Sequence, residues 1–409
     1  MFSRNIFSEL CEYLYSDEFF ILYGARQVGK TTLLKMLEAK LKENGEISYF
    51  FDLENIQYLT DFDKNPENIL SYVSIPENKR IFIFIDEIQY LQNPSNFIKY
   101  LYDHYKDRIK IICTGSASLE IKSKIQDSLV GRHYAFRIHP LSFFEFLEFK
   151  QASIHQLDMS KITENQKNEM HTYLEEFLLY GGMPAVVLKK SKEEKKKLLH
   201  SYVQTYIQKD IRSITVISDI VKYNYLMKMI ASQSANLLNI NNLAENLSIA
   251  YSTAKRYVSI LKHTHIIQLV PPYLQSVHKQ IRKMEKVFFY DTGVRNALLN
   301  NFEEIQFRSD SGALFENMMA LEFLHVYKNI YYYRTKNDAE IDFIIDDKEI
   351  LLIEIKYKKL KNFISPKIFY NFGETIKKQR KYIININYQD KKNDITILPF
   401  YLYNNIFKK

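Results

Sequence analysis

The loop sequence GARQVGKT at residues 24–31 constrains the fold of this chain more strongly than any other stretch. It follows the apolar and aromatic run at 19–23 and precedes a helical pattern at 30–42. The chain has 409 residues but only 10 glycines, so two glycines at the spacing G-x-x-x-x-G-K-T are informative. A strand, this loop and a helix in that order predict a phosphate-binding loop, because backbone N–H groups and the helix N-terminus face the anion.

The residues of this loop have separate expected roles. Gly24 and Gly29 let backbone N–H groups turn toward a pyrophosphate. Lys30 is expected to reach the β- and γ-phosphate oxygens, and the Thr31 hydroxyl is expected to take one Mg²⁺ position. The motif therefore predicts a nucleoside triphosphate with Mg²⁺. The predicted nucleotide-binding residues are Gly24, Ala25, Arg26, Gln27, Val28, Gly29, Lys30, Thr31 and Thr32.

The first 140 residues alternate between apolar strand patterns and helical patterns. The predicted strands are residues 19–23, 47–51, 81–85, 109–113 and 134–138. The helical patterns are residues 30–42, 66–73, 94–105 and 117–129. Continuous apolar strands separated by amphipathic helices indicate a parallel sheet that is covered on both faces.

Two carboxylates follow the third predicted strand. The sequence IFIFI at 81–85 runs directly into Asp86 and Glu87, which places both residues at the edge where open α/β sheets bind ligands. We expect Asp86 to hold Mg²⁺ and Glu87 to polarise the attacking water. The strand at 47–51 lies between the two motifs in sequence. That extra strand predicts an additional-strand nucleotide hydrolase, which uses a catalytic Glu, rather than a nucleotide kinase.

Two further segments of the core are candidates for sensing the γ-phosphate. The fourth strand ends in a polar tip, where Thr114 or Ser116 could contact the phosphate. Alternatively, Ser116 or Ser118 is only the N-cap of the next helix, and the sequence leaves both interpretations open. Arg132 precedes the fifth strand and is a candidate sensor or arginine finger, because a guanidinium stabilises the charge of a transferred phosphoryl group. A simple surface arginine is the alternative.

Composition indicates which other classes of protein the chain can belong to. The formal net charge is +8, which permits a nucleic-acid partner without requiring one. The two cysteines, Cys11 and Cys113, form neither a disulfide framework nor a metal-binding spacing. No apolar run approaches the roughly 18 residues that span a bilayer, and the first 20 residues lack an apolar signal core. We therefore expect a soluble, cytoplasmic protein without a membrane partner.

Several motifs together resemble those of bacterial and archaeal AAA-type P-loop ATPases that carry a C-terminal domain of poorly defined function. These motifs are GARQVGKTTLL, FIFIDEIQYL, TGSAS, LVGRHYAFRIHPLSFFEF and LYGGMPAVV. The resemblance implies an AAA-like sheet with the P-loop strand at its centre, followed by a helical lid. It also implies ATP as the nucleotide, since the loop itself does not select the base. The sequence leaves open whether the chain forms a homo-oligomer, because an arginine finger at Arg132 would act on a neighbouring subunit.

Residues 240–290 have the pattern of a winged helix. A short helix at 242–247, a turn and a longer helix at 252–263 precede two strands at 266–270 and 286–290. The candidate DNA contacts on the longer helix are Lys255 and Arg256, and those between the strands are Lys279 and Arg282. Winged helices also dock proteins, so the sequence leaves a DNA or a protein partner open.

The C-terminal segment carries a pattern of restriction-endonuclease-like nucleases. Asp342 lies on one predicted strand, and Glu354 and Lys356 lie two residues apart on the next, so they face the same side. Asp342 and Glu354 could bind Mg²⁺, Lys356 could orient a water, and Glu316 from the preceding helix could complete the metal shell. Solvated charges on an exposed strand are the alternative. The proline that often precedes the Asp is missing.

The predicted fold class is α/β: an AAA-like P-loop parallel sheet with a helical lid, then a winged helix and a small α/β restriction-endonuclease-like domain. The predicted boundaries are 1–140, 141–235, 236–295 and 296–409. The leading hypothesis is Mg²⁺-dependent ATP binding and hydrolysis coupled to DNA-associated C-terminal modules. One alternative is a Mg²⁺-dependent DNA endonuclease that ATP switches. The other is an ATP-gated scaffold that binds a protein partner.

Overall fold

The structure is a computed structural model that describes residues 4–116, 131–214, 219–274, 280, 283–373 and 378–407. The side chains of Ser116 and of residues 206–214 lie outside this description. The predicted helix at 117–129, with Ser118, and the predicted DNA contacts Lys279 and Arg282 also lie outside the described residues. Within the described residues, no helix is both long and apolar enough to cross a bilayer.

The chain divides into two compact units. The first contains Met1–Pro140, Asp210–Val216 and His263–His265. The second contains Leu141–Lys209, Ile217–Lys262 and Ile266–Lys409.

The first unit contains a five-stranded parallel sheet. Its strands are β1 (Phe19–Gly24), β2 (Ser48–Asp52), β3 (Ile81–Asp86), β4 (Ile109–Ser116) and β5 (His133–Arg137). They are ordered β2-β3-β4-β1-β5, and all neighbours are parallel. The predicted parallel α/β sheet is therefore confirmed. Strand β4, rather than the P-loop strand β1, lies at the centre, so the expectation of a central P-loop strand is wrong.

Helices cover the sheet of the first unit. They are α1 (Asn5–Glu12), α2 (Lys30–Glu43), α3 (Ile56–Lys64) and α4 (Pro94–Tyr105), with 3-10 turns at Pro66–Tyr72 and Ile88–Tyr90. Because side chains alternate along a strand, one set faces α3 and α4 while the alternate set is buried on the other face. The first set includes Phe19, Ile21, Ile83, Ile111 and Cys113, packed with Phe62 and Phe97. The alternate set includes Phe20, Leu22, Phe82, Phe84 and Ile112.

A series of helices follows along the chain, as the sequence patterns predict. They are α5 (Phe143–Phe149), α6 (Glu164–Tyr180), α7 (Pro184–Val187), α8 (Lys192–Ile214) and α9 (Ile220–Ser232). A capping box formed by Ser142 and Glu145 starts α5, and one formed by Thr163 and Gln166 starts α6. These reciprocal bonds satisfy N–H groups that a helix terminus would otherwise leave unpaired.

Two helices and a hairpin follow. They are α10 (Ile240–Asn246), α11 (Tyr251–His263) and the antiparallel pair β6 (Ile267–Val270) and β7 (Lys286–Phe289). Helix α11 buries Ala254, Tyr257, Val258 and Leu261, which follow the i, i+3, i+4, i+7 spacing of an amphipathic helix. These elements follow the order that the sequence pattern predicts, and a winged-helix fold stays a prediction.

The C-terminal part contains a second, mixed sheet. Helices α12 (Thr292–Leu299) and α13 (Ser311–Val326) precede β8 (Tyr331–Arg334), β9 (Glu340–Asp346) and β10 (Ile350–Ile355). Helix α14 (Ile368–Asn371), β11 (Gln379–Asn385), β12 (Asp390–Lys392) and β13 (Ile395–Pro399) follow. The strand order is β12-β13-β11-β10-β9-β8, with β10, β11 and β13 parallel.

The Gly181–Gly182 break after α6 has a packing reason. Asp291, the N-cap of α12, accepts hydrogen bonds from the N–H groups of Gly182 (2.7 Å) and Val294 (2.9 Å). A Cβ at Gly181 would lie 2.1 Å from Asp291 Oδ1, and one at Gly293 would lie 2.2 Å from the Tyr180 carbonyl oxygen. Only glycine fits at these two contacts, because any side chain would separate α6 from α12.

Candidate functional site

The P-loop joins β1 to α2 through backbone conformations that favour glycine. Gly24 has φ 151° and Gly29 has φ 95°, and Gln27 between them is also left-handed at φ 61°. A Cβ at Gly24 would lie 2.3 Å from the carbonyl oxygen of Ile138, which follows β5. The Ile138 N–H in turn donates to the Tyr23 carbonyl oxygen at 2.7 Å. Glycine at position 24 therefore allows the fifth strand to pack against the start of the loop.

The side chain of Lys30 lies inside the loop. It is buried and donates from Nζ to the carbonyl oxygens of Gly24 (3.1 Å) and Ala25 (2.9 Å). Lys30 is the first residue of α2, and Thr31 and Thr32 are the next two. Since the N-cap Gly29 has no side chain, the N-terminus of this 14-residue helix is left for an anion rather than a capping group.

The predicted catalytic carboxylates lie at the carboxyl edge of β3, beside β4. The buried Thr114 hydroxyl donates to Asp86 Oδ1 and accepts from the Glu87 N–H at 2.9 Å. Glu87 has the left-handed φ of 57°, and its Oε2 accepts from the Gln89 amide. A non-glycine residue in this conformation is uncommon, and such residues cluster at functional sites. Thr114 thus orients both carboxylate residues, and these contacts do not match direct phosphate sensing by Thr114.

The strand order explains why the two motifs lie at one edge. Strand β4 lies between β1, which carries the P-loop, and β3, which carries the carboxylates. Because the three strands are parallel, their carboxyl ends are side by side. This is the additional-strand arrangement that the sequence predicts.

Thr31 and Asp86 fit a Mg²⁺ ion chemically. A hydroxyl and a carboxylate are hard oxygen ligands, and one oxygen of Asp86 is oriented by Thr114. Within the described residues, no group of three His, Cys, Asp or Glu side chains could hold a metal ion. Mg²⁺ needs no such cage when a nucleotide supplies phosphate oxygens, since it binds through one or two protein groups, waters and substrate.

Arg132 lies at the wrong edge of the sheet to sense phosphate in its own subunit. It precedes β5, and its carbonyl oxygen accepts from the N–H of Phe19, the first residue of β1. Its guanidinium is paired with Asp103 at 2.7 Å, which raises the pKa of Arg132 and lowers that of Asp103. The interpretation of Arg132 as a sensor for its own P-loop is therefore wrong. An arginine finger acting on a neighbouring subunit stays a prediction.

The sequence analysis missed three residues around the P-loop. Arg4 is buried and donates to the carbonyl oxygens of Val28 (3.0 Å) and His139 (2.8 Å). Arg137, at the carboxyl end of β5, lies 2.8 Å from Nδ1 of the buried His265. Burial, Arg137 and Lys30 hold the pKa of His265 well below its usual range. The RIHP sequence, which starts at the last residue of β5, was the available signal for Arg137, but nothing local indicates Arg4 or His265.

On α11, the two predicted DNA contacts that the structure describes are exposed. Lys255 and Arg256 follow the buried Ala254 and precede the buried Tyr257. The Arg256 guanidinium lies 5.8 Å from the centre of the Tyr257 ring. Both cations are therefore accessible to a polyanion.

Two of the predicted nuclease residues, Glu316 and Asp342, lie near a lysine that the sequence analysis did not assign to this site. Lys286 of β7 pairs with Glu316 of α13 (2.8 Å) and with Glu340 of β9, and its Nζ lies 4.0 Å from Asp342 Oδ1. We call Glu316, Glu340 and Asp342 the C-terminal carboxylate cluster. Glu354 of β10 instead pairs with Lys356.

Burial and mutual repulsion set the pKa values of this region. Burial and the Asp342 charge raise the pKa of Glu316 to about 8, against the opposing attraction of Lys286. Burial is also the main cause that raises the pKa of Asp342 and brings that of Glu354 to about 7. Burial alone would lower the pKa of Lys286, but the three carboxylates outweigh it and raise that pKa. Lys286 is thus held as a cation.

Comparison with family models divides the chain into three matched regions. Residues 16–147 match a model described as an AAA domain. Residues 171–304 and 311–403 match two models described as domains of unknown function, DUF8612 and DUF4143. The first match covers the strand β1, the P-loop, the carboxylates after β3 and the tip of β4.

Two similar proteins are themselves uncharacterized. One, from Methanocaldococcus jannaschii, is 27% identical over 347 residues, which are 83% of this chain and 74% of that protein. The other, from Mycobacterium tuberculosis, is 24% identical over 347 residues, which are 84% of this chain and 71% of that protein. The similarity to both proteins thus extends beyond residues 16–147, which match the AAA model.

Two solved structures show a weak overall likeness. Cdc6p from Pyrobaculum aerophilum is 10% identical, with a TM-score of 0.30, over 73% of this chain and 92% of that one. Drosophila ORC bound to DNA is 13% identical, with a TM-score of 0.31, over 68% of this chain and 89% of that one. These TM-scores are too low to support an argument about the arrangement of the whole chain.

Proposed function

We propose that the AAA-type P-loop domain of residues 16–147 binds ATP with Mg²⁺ and hydrolyses it. The observation that carries this proposal is the placement of Lys30 and of the Thr114-bound Asp86 and Glu87 at one edge of the sheet. A P-loop lysine and two carboxylates beside it are the groups that phosphoryl transfer to water requires.

Each of these side chains has a specific task in the proposed reaction. When ATP binds, the Lys30 ammonium exchanges two neutral carbonyl acceptors for anionic phosphate oxygens, which form stronger hydrogen bonds. Thr31 and Asp86 would hold Mg²⁺, which neutralises charge on the phosphates. Glu87 accepts a proton from the attacking water, and Thr114 is a positioning residue that fixes Asp86 and the Glu87 backbone.

Two substitutions test binding and hydrolysis separately. Lys30→Ala should abolish ATP binding, and Glu87→Gln should bind ATP and retain it uncleaved. Lys35→Ala is the matched control, because Lys35 is an exposed lysine on the same helix. Fluorescent-nucleotide titration and phosphate release measure the two steps. Undiminished turnover in both Lys30→Ala and Glu87→Gln would refute the assignment.

We propose that α10, α11 and the β6–β7 hairpin form a winged helix that binds DNA and couples it to the ATPase. The supporting observations are the element order and the exposure of Lys255 and Arg256 on the second helix. Replacing both residues by Ala should weaken DNA binding and reduce its salt dependence, because fewer phosphate counterions are released. Lys228→Ala, an exposed lysine on α9, is the control. Salt-independent binding, or none, would favour protein docking instead.

Arg132 lies far from the P-loop of its own subunit, and we propose that it acts as an arginine finger on the P-loop of a neighbouring subunit. If Arg132 serves a neighbouring subunit, Arg132→Ala and Glu87→Gln chains should regain turnover when they are mixed. Each variant alone should be inactive, since the mixture alone can pair an intact arginine with an intact Glu87. Equal turnover of Arg132→Ala and wild type would exclude this role.

The C-terminal part has the element order of a restriction-endonuclease-like domain, and we propose that likeness for its architecture only. Helix α13 precedes the antiparallel strands β8, β9 and β10, and β11 is parallel to β10. We do not propose Mg²⁺-dependent DNA cleavage as a second function, because Lys286 already neutralises carboxylates that the metal would need.

A further inference from the structure

Lys286 lies among the three carboxylates of the C-terminal carboxylate cluster. Its Nζ lies 2.8 Å from Glu316 and 4.0 Å from Asp342, and it also pairs with Glu340. We propose that the Lys286 ammonium is the resident cation of this cluster, and that the cluster is a charge clamp rather than a metal-dependent nuclease centre. The three carboxylates come from α13 and β9, whereas their cation comes from the β6–β7 hairpin.

The backbone around Lys286 keeps its ammonium in the cluster. Within the hairpin, Lys286 is registered with Val270 of β6, and on its other side it forms a bridge with Leu237. The Lys286 side chain is only 3% exposed. A metal ion that bound these carboxylates would have to displace the Lys286 ammonium from a buried ion pair, and breaking such a pair is costly.

The remaining oxygens of the predicted nuclease residues do not make a metal site. Asp342 Oδ2 accepts the Ile355 N–H at 2.7 Å, and Glu354 pairs with Lys356 through Oε1. Glu354 Oε2 is buried without a hydrogen-bond partner among the described residues. Apart from this oxygen, the carboxylates that a metal ion would need are bound to Lys286, to Lys356 or to the Ile355 N–H.

The clamp has a structural consequence for the second unit. It links the hairpin to α13 and β9 through charge, next to hydrogen bonds that already join the hairpin to α13. The Phe289 N–H donates to Asn317 Oδ1 at 2.7 Å, and Asn317 Nδ2 donates to the Phe289 carbonyl oxygen at 2.8 Å. Lys286 therefore holds the β6–β7 hairpin, the wing of the proposed winged helix, to the C-terminal sheet. Its ammonium lies where a nuclease of the predicted type would bind a metal ion.

Mn²⁺ binding to the full chain without nucleotide tests this inference. Free Mn²⁺ is counted by electron paramagnetic resonance for wild type, Asp342→Asn, Lys286→Met and the double variant. We expect wild type and Asp342→Asn to bind Mn²⁺ equally. Lys286→Met should gain a Mn²⁺ site, because its carboxylates have lost their cation, and the double variant should lose that site. Lys286→Arg, which keeps the charge, should not gain it.

Wild type alone decides the question if Lys286→Met does not fold. Mn²⁺ binding by wild type that disappears in Asp342→Asn would overturn the inference. Cleavage of plasmid DNA by wild type that disappears in Asp342→Asn would also overturn it. Neither result depends on the P-loop, so the outcome is separate from that of the Lys30 and Glu87 tests.

Discussion

Two buried lysines, Lys30 in the first unit and Lys286 in the second, satisfy their charges in opposite ways. Lys30 donates to the neutral carbonyl oxygens of Gly24 and Ala25. Lys286 lies among the carboxylates Glu316, Glu340 and Asp342. Anionic acceptors bind an ammonium more strongly than neutral ones. An arriving phosphate can therefore compete for Lys30, whereas Lys286 is already committed within the protein.

The same residue type thus serves a ligand in one place and the fold in the other. A lysine beside carboxylates in sequence or space is not by itself a sign of catalysis. What distinguishes the two sites is the charge of the acceptors and the presence, beside Lys30, of a helix N-terminus without a side-chain cap.

Exchanging Lys286 for Met should have the largest effect on stability. Removing one partner leaves buried carboxylates uncompensated, which costs about 3–5 kcal/mol. We expect the free energy of unfolding in urea to fall by that amount while ATP affinity is unchanged. Lys283→Met, an exposed lysine of the same segment, is the control. A loss no greater than that of the control would erase the contrast between the two lysines.

Thr114→Val should have an intermediate effect on the nucleotide site. The substitution leaves Asp86 Oδ1 and the Glu87 N–H without their shared partner, at about 1–3 kcal/mol for buried polar groups. We expect turnover to fall about tenfold or more with little change in ATP affinity. Thr114→Ser keeps the hydroxyl and should restore turnover. A large loss of ATP affinity in Thr114→Val would instead indicate direct contact with the nucleotide.

A third buried lysine, Lys110, extends the comparison, because its pKa shifts in the opposite direction to that of Lys286. Its Nζ donates to Ser16 Oγ (3.0 Å) and to backbone carbonyl oxygens, including that of Ser16 at 2.7 Å. Burial, with repulsion from Arg80, lowers its pKa from 10.5 to about 7, although Glu18 and Asp17 oppose the shift. Among neutral acceptors, burial thus lowers the pKa of Lys110, whereas the carboxylates around Lys286 outweigh burial and raise its pKa.

The sign of the pH effect follows from this lowered pKa. Between about pH 7 and 10.5 the unfolded chain binds more protons at Lys110 than the folded chain, so this group makes stability rise with pH. Lys110→Met should remove a slope of at most about 1.4 kcal/mol per pH unit from the free energy of unfolding. Denaturant titrations at several pH values measure it. An unchanged slope would show that Lys110 stays charged when folded.

Local patterns were sufficient for the nucleotide-binding core. The apolar runs before Gly24 and Asp86 predicted their strands, and the parallel sheet placed both motifs at one edge. The error at Arg132 was avoidable on the same grounds. A residue that precedes a parallel strand lies at the amino edge of the sheet, away from the loops that bind the ligand. Arg137, at the other end of that strand, was the better candidate to lie near the P-loop.

The sequence by itself determined the P-loop, the carboxylates after β3 and the inward face of α11, because each depends on a short repeat or spacing. Only the tertiary structure decided that Thr114 binds both Asp86 and the Glu87 backbone, and that Asp291 requires glycine at 181. It also brought Lys286 to Glu316 and Asp342, which lie 30 and 56 residues further along the chain. Contacts between such distant residues depend on packing, which no local pattern encodes.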